Sequence, residues 1–295
     1  MGWIFYSFLA AILWAIVNVT DKYTMVKLVS SPVIPVLILG VVGLLTAGGV
    51  YFVHGVELFS PLNSALAFLA GLFYILTMLF YFLALKSEEV SKVIPIYYLA
   101  PVFILFIAKA GLNEHLISNQ YWGIALLVSG AIIISLSSPI KIGISKGIMC
   151  VLLAAFCYAI NQVLTKFLIK NNEFWSVFAY TRLGVFLSLL PFMGYYFIYV
   201  YPESKKIQHR AYVIMITNQL LNVGGVFCIT LAMTTGDVTL VNGLASTQPF
   251  FVLVFTAMLG FYFPTVLKEK FAGWVLIQKL IATILTFAGV LIISQ

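Results

Sequence analysis

Polar side chains recur one helical turn apart inside long apolar stretches of this sequence. Trp14 and Asn18 are four residues apart, and so are Tyr158 and Gln162. Side chains at this spacing share one face of a helix, and amides, phenols and an indole can hydrogen-bond to a small polar solute. We therefore predict a central cavity that binds such a solute, although hydrogen bonds between helices could explain any one of these residues. The residues predicted to bind the substrate are Trp14, Asn18, Lys22, Tyr74, Tyr98, Tyr158, Asn161, Gln162, Lys166, Arg182, Asn218, Asn222, Asn242, Ser246 and Gln248.

Four basic residues lie within apolar stretches or at their ends. Arg182 and Lys279 lie about two turns inside, while Lys22 and Lys166 each close a stretch. A charge at the bilayer centre costs about 2.5 kcal/mol or more, so such residues mark functional sites by default. An arginine fork suits a carboxylate or a phosphate, whereas the lysines can also extend to the membrane surface.

The nine acidic residues fall in predicted loops or at the ends of apolar stretches. They are Asp21, Glu57, Glu88, Glu89, Glu114, Glu173, Glu203, Asp237 and Glu269. A proton-driven exporter of cations generally needs a carboxylate in the membrane interior. The sequence therefore favours a carrier or exchanger of zwitterionic or anionic metabolites, such as amino acids or organic acids. A proton-coupled drug or metabolite exporter stays the alternative, because a carboxylate at a span end could line a deep vestibule.

Patterns typical of enzymes and metal sites are missing. The sequence contains neither HExxH nor GxxxxGK[ST], which carry zinc hydrolysis and phosphate binding. The histidines and cysteines are His54, His115, His209, Cys150, Cys157 and Cys228. The histidines lie in predicted loops and the cysteines in apolar stretches, so we expect no enzyme activity, metal or cofactor. The 16 basic residues outnumber the acids only because acids are scarce, and we expect no nucleic-acid partner.

The composition determines the elements that must position these residues. Of 295 residues, 63% are hydrophobic and 8% charged, with a mean hydropathy of +1.10, whereas soluble proteins are about 25% charged. A helix needs about 20 apolar residues to cross the ~30 Å hydrocarbon core. We predict an all-α membrane protein with ten transmembrane helices. The predicted spans are Trp3 to Thr20, Val33 to Val53, Ser64 to Leu85, Val93 to Ala110, Tyr121 to Ser137, Gly147 to Leu168, Phe174 to Tyr199, Ala211 to Met233, Val238 to Phe261 and Gly273 to Ile293.

The second half of the sequence repeats the first. At an offset of 144 positions, Lys22 aligns with Lys166. At an offset of 148 positions, the segment 84–103 aligns with the segment 232–251. Two five-helix units follow, and because five is odd the second unit enters the membrane from the opposite face. We therefore predict two inverted repeats with both chain ends on one side. The predicted repeats are residues 1–140 and 141–295.

Helix-breaking residues fall at matching positions of the fourth and ninth predicted spans. They are Pro95, Pro101, Gly243 and Pro249, and the 148-residue offset pairs them. Breakers at matching positions of two repeats are the best sequence indication of where a transporter binds its substrate. The alternative is that Pro and Gly are common in membrane helices.

Two segments resemble the EamA-type repeat of the drug/metabolite transporter superfamily. They are YFLALKSEEVSKVIPIYYLAPVF with NEHLISNQYWGIALLVSGAIIIS, and ITLAMTTGDVTLVNGLASTQPFF with LKEKF and FAGVLIISQ. The resemblance implies ten helices, arranged as five plus five, that move small metabolites across a membrane. It further implies a plasma-membrane location, which is the inner membrane in a bacterium, and we expect a monomer. One position departs from the family pattern. Arg182 matches an arginine that the family often carries early in the second helix of a repeat, but the equivalent position in the first half is Ile38.

The sequence leaves the orientation open. The predicted loops on the side of the chain ends carry three basic residues, and those on the opposite side carry eleven. The excess of Lys and Arg in cytoplasmic loops would place both ends outside the cytoplasm. The family resemblance implies the reverse.

Overall fold

The computed structural model describes residues 2–29, 31–88, 93, 96–135, 145–195, 198, 201, 207–260 and 274–294. Every regular element within these ranges is a helix. The α-helices are α1 Gly2–Tyr23, α2 Val33–His54, α3 Pro61–Ser87, α4 Ala100–Leu112, α5 Ser118–Ser135, α6 Lys146–Asn171, α7 Phe174–Leu187, α8 Leu190–Tyr195, α9 His209–Thr235, α10 Val238–Ala245, α11 Gln248–Gly260 and α12 Trp274–Ser294. A π-helical turn, Thr24–Leu28, continues α1.

The described helices have the length and composition of a multi-pass membrane protein. Six stretches are long and apolar enough to cross a membrane, and shorter apolar helices include α4, α7 and most of α12. Apolar composition alone predicts the helices because the hydrocarbon core offers no water to unpaired backbone groups. Most observed boundaries lie within a few residues of the predicted spans.

Local capping explains where several helices begin. The Ser60 hydroxyl accepts a hydrogen bond from the Asn63 amide at the start of α3. Ser145 does the same for Ile148 in α6, and the Glu173 carboxylate accepts from the Ser176 amide in α7. Each cap provides a partner for an amide that the first helical turn leaves unpaired.

The fourth and ninth spans are broken at equivalent points. Tyr98 and Leu99 form a turn before α4, and Ser246 and Thr247 form a turn between α10 and α11. The prolines predicted to break the helices each stand at the second residue of the helix that follows, where a missing N–H costs nothing. These prolines are Pro101 and Pro249.

The other two predicted helix breakers have different outcomes. Gly243 lies inside α10 with helical neighbours on both sides, so the chain does not break there. A single glycine lowers helix stability by only about 1 kcal/mol relative to alanine, and the surrounding helices outweigh this. Pro95 lies outside the described residues.

The bundle is built from antiparallel helix pairs. α1 lies against α9, α3 against α6, α2 against α7 and α5 against α12. In the α1–α9 pair, Trp3 approaches Gly236 and Trp14 approaches Gly225, so the two helices run in opposite directions. Each pair buries apolar side chains of both members.

Helices α3 and α7 approach so closely that only glycine fits at their crossing. A Cβ atom added to Gly71 would lie 2.3 Å from the backbone carbon of Gly184 and the nitrogen of Val185. Small residues of this kind let membrane helices pack backbone to backbone. This crossing positions Arg182, which lies one half-turn before Gly184.

We predict that Gly71→Ala destabilises the protein. Its methyl group would meet backbone atoms that cannot rotate away, and overpacking of this kind costs about 1–3 kcal/mol. Thermal unfolding of the purified protein should show a lower Tm. Gly48→Ala in α2 is the matched control, because its Cβ would meet nothing within 4 Å. Equal Tm values for the two variants would contradict a close α3–α7 crossing.

Candidate functional site: a central cavity

A cavity opens between the helices at the two breaks. Its empty space is about 760 Å³, including the part that is continuous with solvent. The lining comes from the C-terminal halves of α1 and α3, the N-terminal half of α9, parts of α6 and α10, and the breaks themselves. The cavity therefore lies toward the C-terminal ends of α1 and α3, and we call this side the mouth. The lining residues are Trp14, Val17, Asn18, Asp21, Tyr74, Met78, Tyr81, Tyr97, Tyr98, Ala100, Pro101, Tyr158, Gln219, Asn222, Asn242, Ala245, Ser246 and Gln248.

Many of the residues predicted to bind substrate meet at this cavity. Those that line it are Trp14, Asn18, Tyr74, Tyr98, Tyr158, Asn222, Asn242, Ser246 and Gln248. They come from helices far apart in sequence, and the pairing of α1 with α9 and of α3 with α6 brings them together.

Asn222 links three helices on one wall. Its Nδ2 donates to the Tyr74 hydroxyl at 2.9 Å and to Gln219 Oε1 at 3.1 Å. Its Oδ1 accepts from Trp14 Nε1 at 3.1 Å. A Cβ at Gly225 would lie 2.5 Å from that indole nitrogen, so the glycine makes room for Trp14. The four polar groups thereby hold one another in a fixed arrangement.

A second network forms around Asn242 on α10. Its Oδ1 accepts from the Tyr158 hydroxyl and from Gln162 Nε2, both at 2.9 Å. Its Nδ2 donates to the Val238 carbonyl at 2.9 Å. Gln162 was predicted to bind substrate, but it does not line the cavity and instead holds Tyr158 and Asn242 in position.

Aromatic rings cover much of the cavity wall. Tyr97 packs on Tyr81, Tyr98 and Tyr158, with ring centroids 5.4 to 6.4 Å apart. The Tyr98 hydroxyl is buried and has no hydrogen-bond partner in the described residues. A buried polar group without a partner costs about 1–3 kcal/mol, so Tyr98 offers a free hydrogen-bonding group at the cavity.

Arg182 lies behind the cavity wall. Its guanidinium carbon is 4.8 Å from the centre of the Tyr74 ring and 5.9 Å from that of Phe178. The side chain is buried, and its Nε has no hydrogen-bond partner among the described residues. The aromatic faces stabilise the charge, and Tyr74 stands between the guanidinium and the cavity.

Asp21 overturns the prediction that no carboxylate reaches the interior. α1 extends past the predicted end at Thr20, and Asp21 is only 5% exposed and lines the cavity. The sequence held a signal that we missed, because Asp21 follows Asn18 by three residues and Trp14 by seven, which places all three on one helix face.

Two further lining residues were missed for a similar reason. Gln219 precedes Asn222 by three residues, and Tyr81 follows Tyr74 by seven. Both spacings correspond to one helix face and could have identified the two residues. Val17, Met78 and Ala245 also line the cavity, but apolar residues in an apolar helix carry no such signal.

Lys166 binds the end of a helix and not the cavity. Its Nζ donates to the carbonyls of Met233 and Gly236 at 2.6 and 2.8 Å, at the C-terminal end of α9. There its charge complements the negative end of the helix dipole. The nearby Glu114 carboxylate accepts from the Val238 amide at 2.9 Å and so caps α10. We call these contacts the closed end, since they lie opposite the cavity mouth.

The remaining predicted binding residues also lie away from the cavity lining. Lys22 is exposed at the other end of the bundle. Asn161 donates to the Ala70 carbonyl at 2.8 Å and ties α6 to α3. Asn218 donates to Asp21 Oδ1 at 2.7 Å from behind the wall. In the described ranges, no group of three or more His, Cys, Asp and Glu residues could hold a metal ion.

The comparisons with known proteins show one family that is similar to the first part of the chain. The sequence model of the EamA-like transporter family matches residues 1–136. The match spans the first segment for which the sequence predicted the resemblance, and confirms it there. The matched family is one of transporters and not of enzymes.

A solved structure resembles the chain over its full length. That structure, titled only "Crystal structure of protein", is 17% identical, and the match covers 100% of this chain and 98% of that one with a TM-score of 0.76. At this identity the match shows a shared fold alone. No curated protein matches the chain.

We predict that Asn222→Ala destabilises the protein. The change leaves Trp14 Nε1 and Gln219 Oε1 without their partner. Gln219 is buried, and a buried group without a partner costs about 1–3 kcal/mol, whereas the half-buried Trp14 costs less. The Tm of the purified protein should fall, and the tryptophan fluorescence should change. Asn18→Ala is the matched control, since Asn18 lines the same cavity but does not take part in this network. If both variants unfold at the same temperature, the network does not stabilise the wall.

Proposed function

We propose that the protein is a secondary transporter, a carrier or exchanger, of small zwitterionic or anionic metabolites such as amino acids and organic acids. The observation that carries this proposal is the buried guanidinium of Arg182 directly behind Tyr74, a residue of the cavity wall. Across a distance of about 8 Å at an effective dielectric constant of about 20, such a charge would stabilise a carboxylate by about 2 kcal/mol.

The helices that begin after the breaks in the fourth and ninth predicted spans also favour a negatively charged ligand group. α4 and α11 both begin at the cavity, and their first residues, Ala100 and Gln248, are part of its lining. The N-terminal end of a helix carries a partial positive charge, and broken helices of transporters direct such ends at anionic substrate groups. The aromatic faces of Trp14, Tyr97 and Tyr158 suit an ammonium group or an apolar body.

We further propose that residues 1–140 and 141–295 are two inverted repeats that alternate the access to the cavity. Three features support this. α2 pairs with α7 and α5 with α12 in antiparallel fashion, as a two-fold axis in the membrane plane requires. The α1–α9 pair corresponds to α6–α3 under the same exchange. The helix breaks at Leu99 and Thr247 are 148 residues apart, which is the offset of the sequence repeat.

The closed end suggests how the alternation works. Lys166 corresponds to Lys22 at the offset of 144, and its acceptors correspond to the carbonyls of Leu85 and Glu88 at the offset of 148. Lys166 is bound at the closed end, while Lys22 is exposed near the mouth. We propose that Lys22 binds the end of α3 when the mouth closes and that Lys166 then releases α9.

A second candidate is a proton-coupled exporter, and Asp21 favours it. A carboxylate that lines a transporter cavity can carry a proton in turn with a cationic substrate. This candidate differs from the first in the sign of the substrate charge and in its dependence on a proton gradient.

We predict that Arg182 determines the preference for a carboxylate. In Arg182→Met the affinity for the substrate should fall about 30-fold, the equivalent of about 2 kcal/mol. Arg182→Lys is the matched control, because it keeps the charge and should lose much less. Binding is measured by the rise in Tm with a panel of amino acids, organic acids and the corresponding amines without a carboxylate.

Counterflow in proteoliposomes then tests transport of the ligands that raise the Tm. Exchange that persists with a proton ionophore supports the carrier. If only the amines raise the Tm, if Arg182→Met binds as the wild type does, and if uptake collapses with the ionophore, the second candidate replaces the first.

We predict that the two lysines have opposite effects on the conformation. Lys166→Met removes the contact at the closed end and should shift the protein toward the opposite-facing state. Lys22→Met should leave the present state favoured or strengthen it. Spin-label distances across the closed end (Asn171 to Thr235) and across the mouth (Tyr23 to Ser87) report the change. The first distance should lengthen and the second shorten in Lys166→Met only. Identical distance distributions in both variants would show that the lysines do not control access.

A further inference from the structure

Three buried oxygen-bearing side chains lie where the end of α1 and the turn that continues it meet α9. They are the carboxylate of Asp21, the amide of Asn218 and the hydroxyl of Thr24, all at most 5% exposed. Asn218 Nδ2 donates to Asp21 Oδ1 at 2.7 Å. In the described part of the chain, Asn218 Oδ1 and Thr24 Oγ1 have no hydrogen-bond partner. The structure therefore buries a carboxylate with two unpartnered neutral oxygens.

The orientation of Asn218 follows from its neighbour. Turning the amide over would place its oxygen against the Asp21 carboxylate, and two acceptors repel each other. The nitrogen therefore faces Asp21, and the amide oxygen lies within about 5 Å of Asp21 Oδ1 by standard bond and hydrogen-bond lengths. Thr24 follows Asp21 by three residues, which places both on one face at the end of α1.

The local backbone also marks this point. Thr24 begins the π-helical turn that continues α1, and the Val29 amide closes it on the Thr24 carbonyl. π-helical turns are rare in proteins, and those that occur are often found at functional sites. The turn packs against α3 and α9, so it connects the end of α1 that carries Asp21 to both of these helices.

Burying Asp21 in its ionised form beside two unpartnered oxygens is unfavourable unless a positive charge joins them. An unpartnered buried oxygen costs about 1–3 kcal/mol, and a buried carboxylate without a counter-ion costs several more. The neighbouring base, Lys22, is exposed. A small cation between the three side chains would provide the missing partner for each of them.

We propose that Asp21, Thr24 and Asn218 bind a sodium ion. Carboxylate, amide and hydroxyl oxygens are hard ligands that select hard cations, and one carboxylate neutralises one positive charge. Of the three residues only Asp21 lines the cavity. A bare ion can pass Asp21 and contact all three, whereas an ammonium group on a substrate in the cavity would reach Asp21 alone.

The ion would complement the charge of the proposed substrate. With sodium neutralising Asp21, the charge of Arg182 behind Tyr74 determines which ligand charge is favoured, and it favours a carboxylate. The ion would also tie α1 to α9 at the mouth, where access must change. Its role as a driving ion rests on the proposed transport function, but its binding does not.

Thermal unfolding of the purified full-length protein tests the binding. In sodium chloride the Tm should rise with concentration and saturate, compared with choline chloride at the same ionic strength. Asp21→Asn should abolish the rise. Thr24→Val, which keeps the shape of the side chain, should raise the half-saturating sodium concentration at least tenfold. Thr20→Val is the matched control, because the Thr20 hydroxyl donates to the Ile16 carbonyl at 3.1 Å and supplies no ligand.

Several outcomes would overturn the proposal. These are equal Tm values in sodium, potassium and choline chloride, an equal response to potassium and sodium, and identical sodium curves for Thr24→Val and Thr20→Val. Stabilisation by methylammonium but not by sodium would assign the site to a substrate amine instead. Counterflow in sodium-free vesicles separates the two proposals. If sodium binds and no ligand is exchanged, the transport function fails while the ion site stands.

Discussion

The hydrocarbon core of a membrane offers no water to an unpaired backbone amide or carbonyl, and this constraint organises the whole molecule. It forces every crossing into a helix. A helix can therefore break at depth only where the freed groups face a cavity or other protein. The breaks at Leu99 and at Thr247 adjoin the central cavity, whereas the turn at Ser188 and Leu189 between α7 and α8 packs against other parts of the protein. The first two breaks and the cavity are thus one feature, and the proline that follows each of them favours the start of a helix there.

The same low-dielectric environment explains the different positions of the buried charges. Lys166 donates to the carbonyls at the end of α9, where the chain itself supplies acceptors. Arg182 lies against the faces of Tyr74 and Phe178. Within the described ranges, Asp21 accepts a hydrogen bond from the Asn218 amide, and the two neighbouring oxygens, Asn218 Oδ1 and Thr24 Oγ1, have no partner. Lys166 has hydrogen-bond acceptors within the protein. In the described ranges, Arg182 Nε and the two oxygens beside Asp21 lack hydrogen-bond partners close to the cavity. That contrast separates a structural lysine from two charges that can act on a ligand.

Most of the fold could be predicted because helix formation in a membrane depends on local composition. The spans, the EamA resemblance and many lining residues, from Trp14 to Gln248, follow from apolar runs and from the spacing of polar residues. The errors concern residues whose role depends on a distant helix. Gln162 and Asn218 share a face with polar neighbours, but they turn toward Asn242 and Asp21 on other helices. Gly243 looked like a break, yet its helix is held by packing that the sequence alone does not reveal.

The sequence by itself predicted a membrane-spanning helical protein and a cavity between polar faces, because both depend on composition and periodicity within single segments. Only the tertiary structure decided which polar residues reach the cavity. The sequence places Asp21 at the end of a span, but in the structure α9 covers it. The sequence predicts that Lys166 binds substrate, but in the structure it binds the C-terminal end of α9. Burial and partnership are properties of two segments together, so the sign of the charge beside the cavity could be read only after the helices were packed.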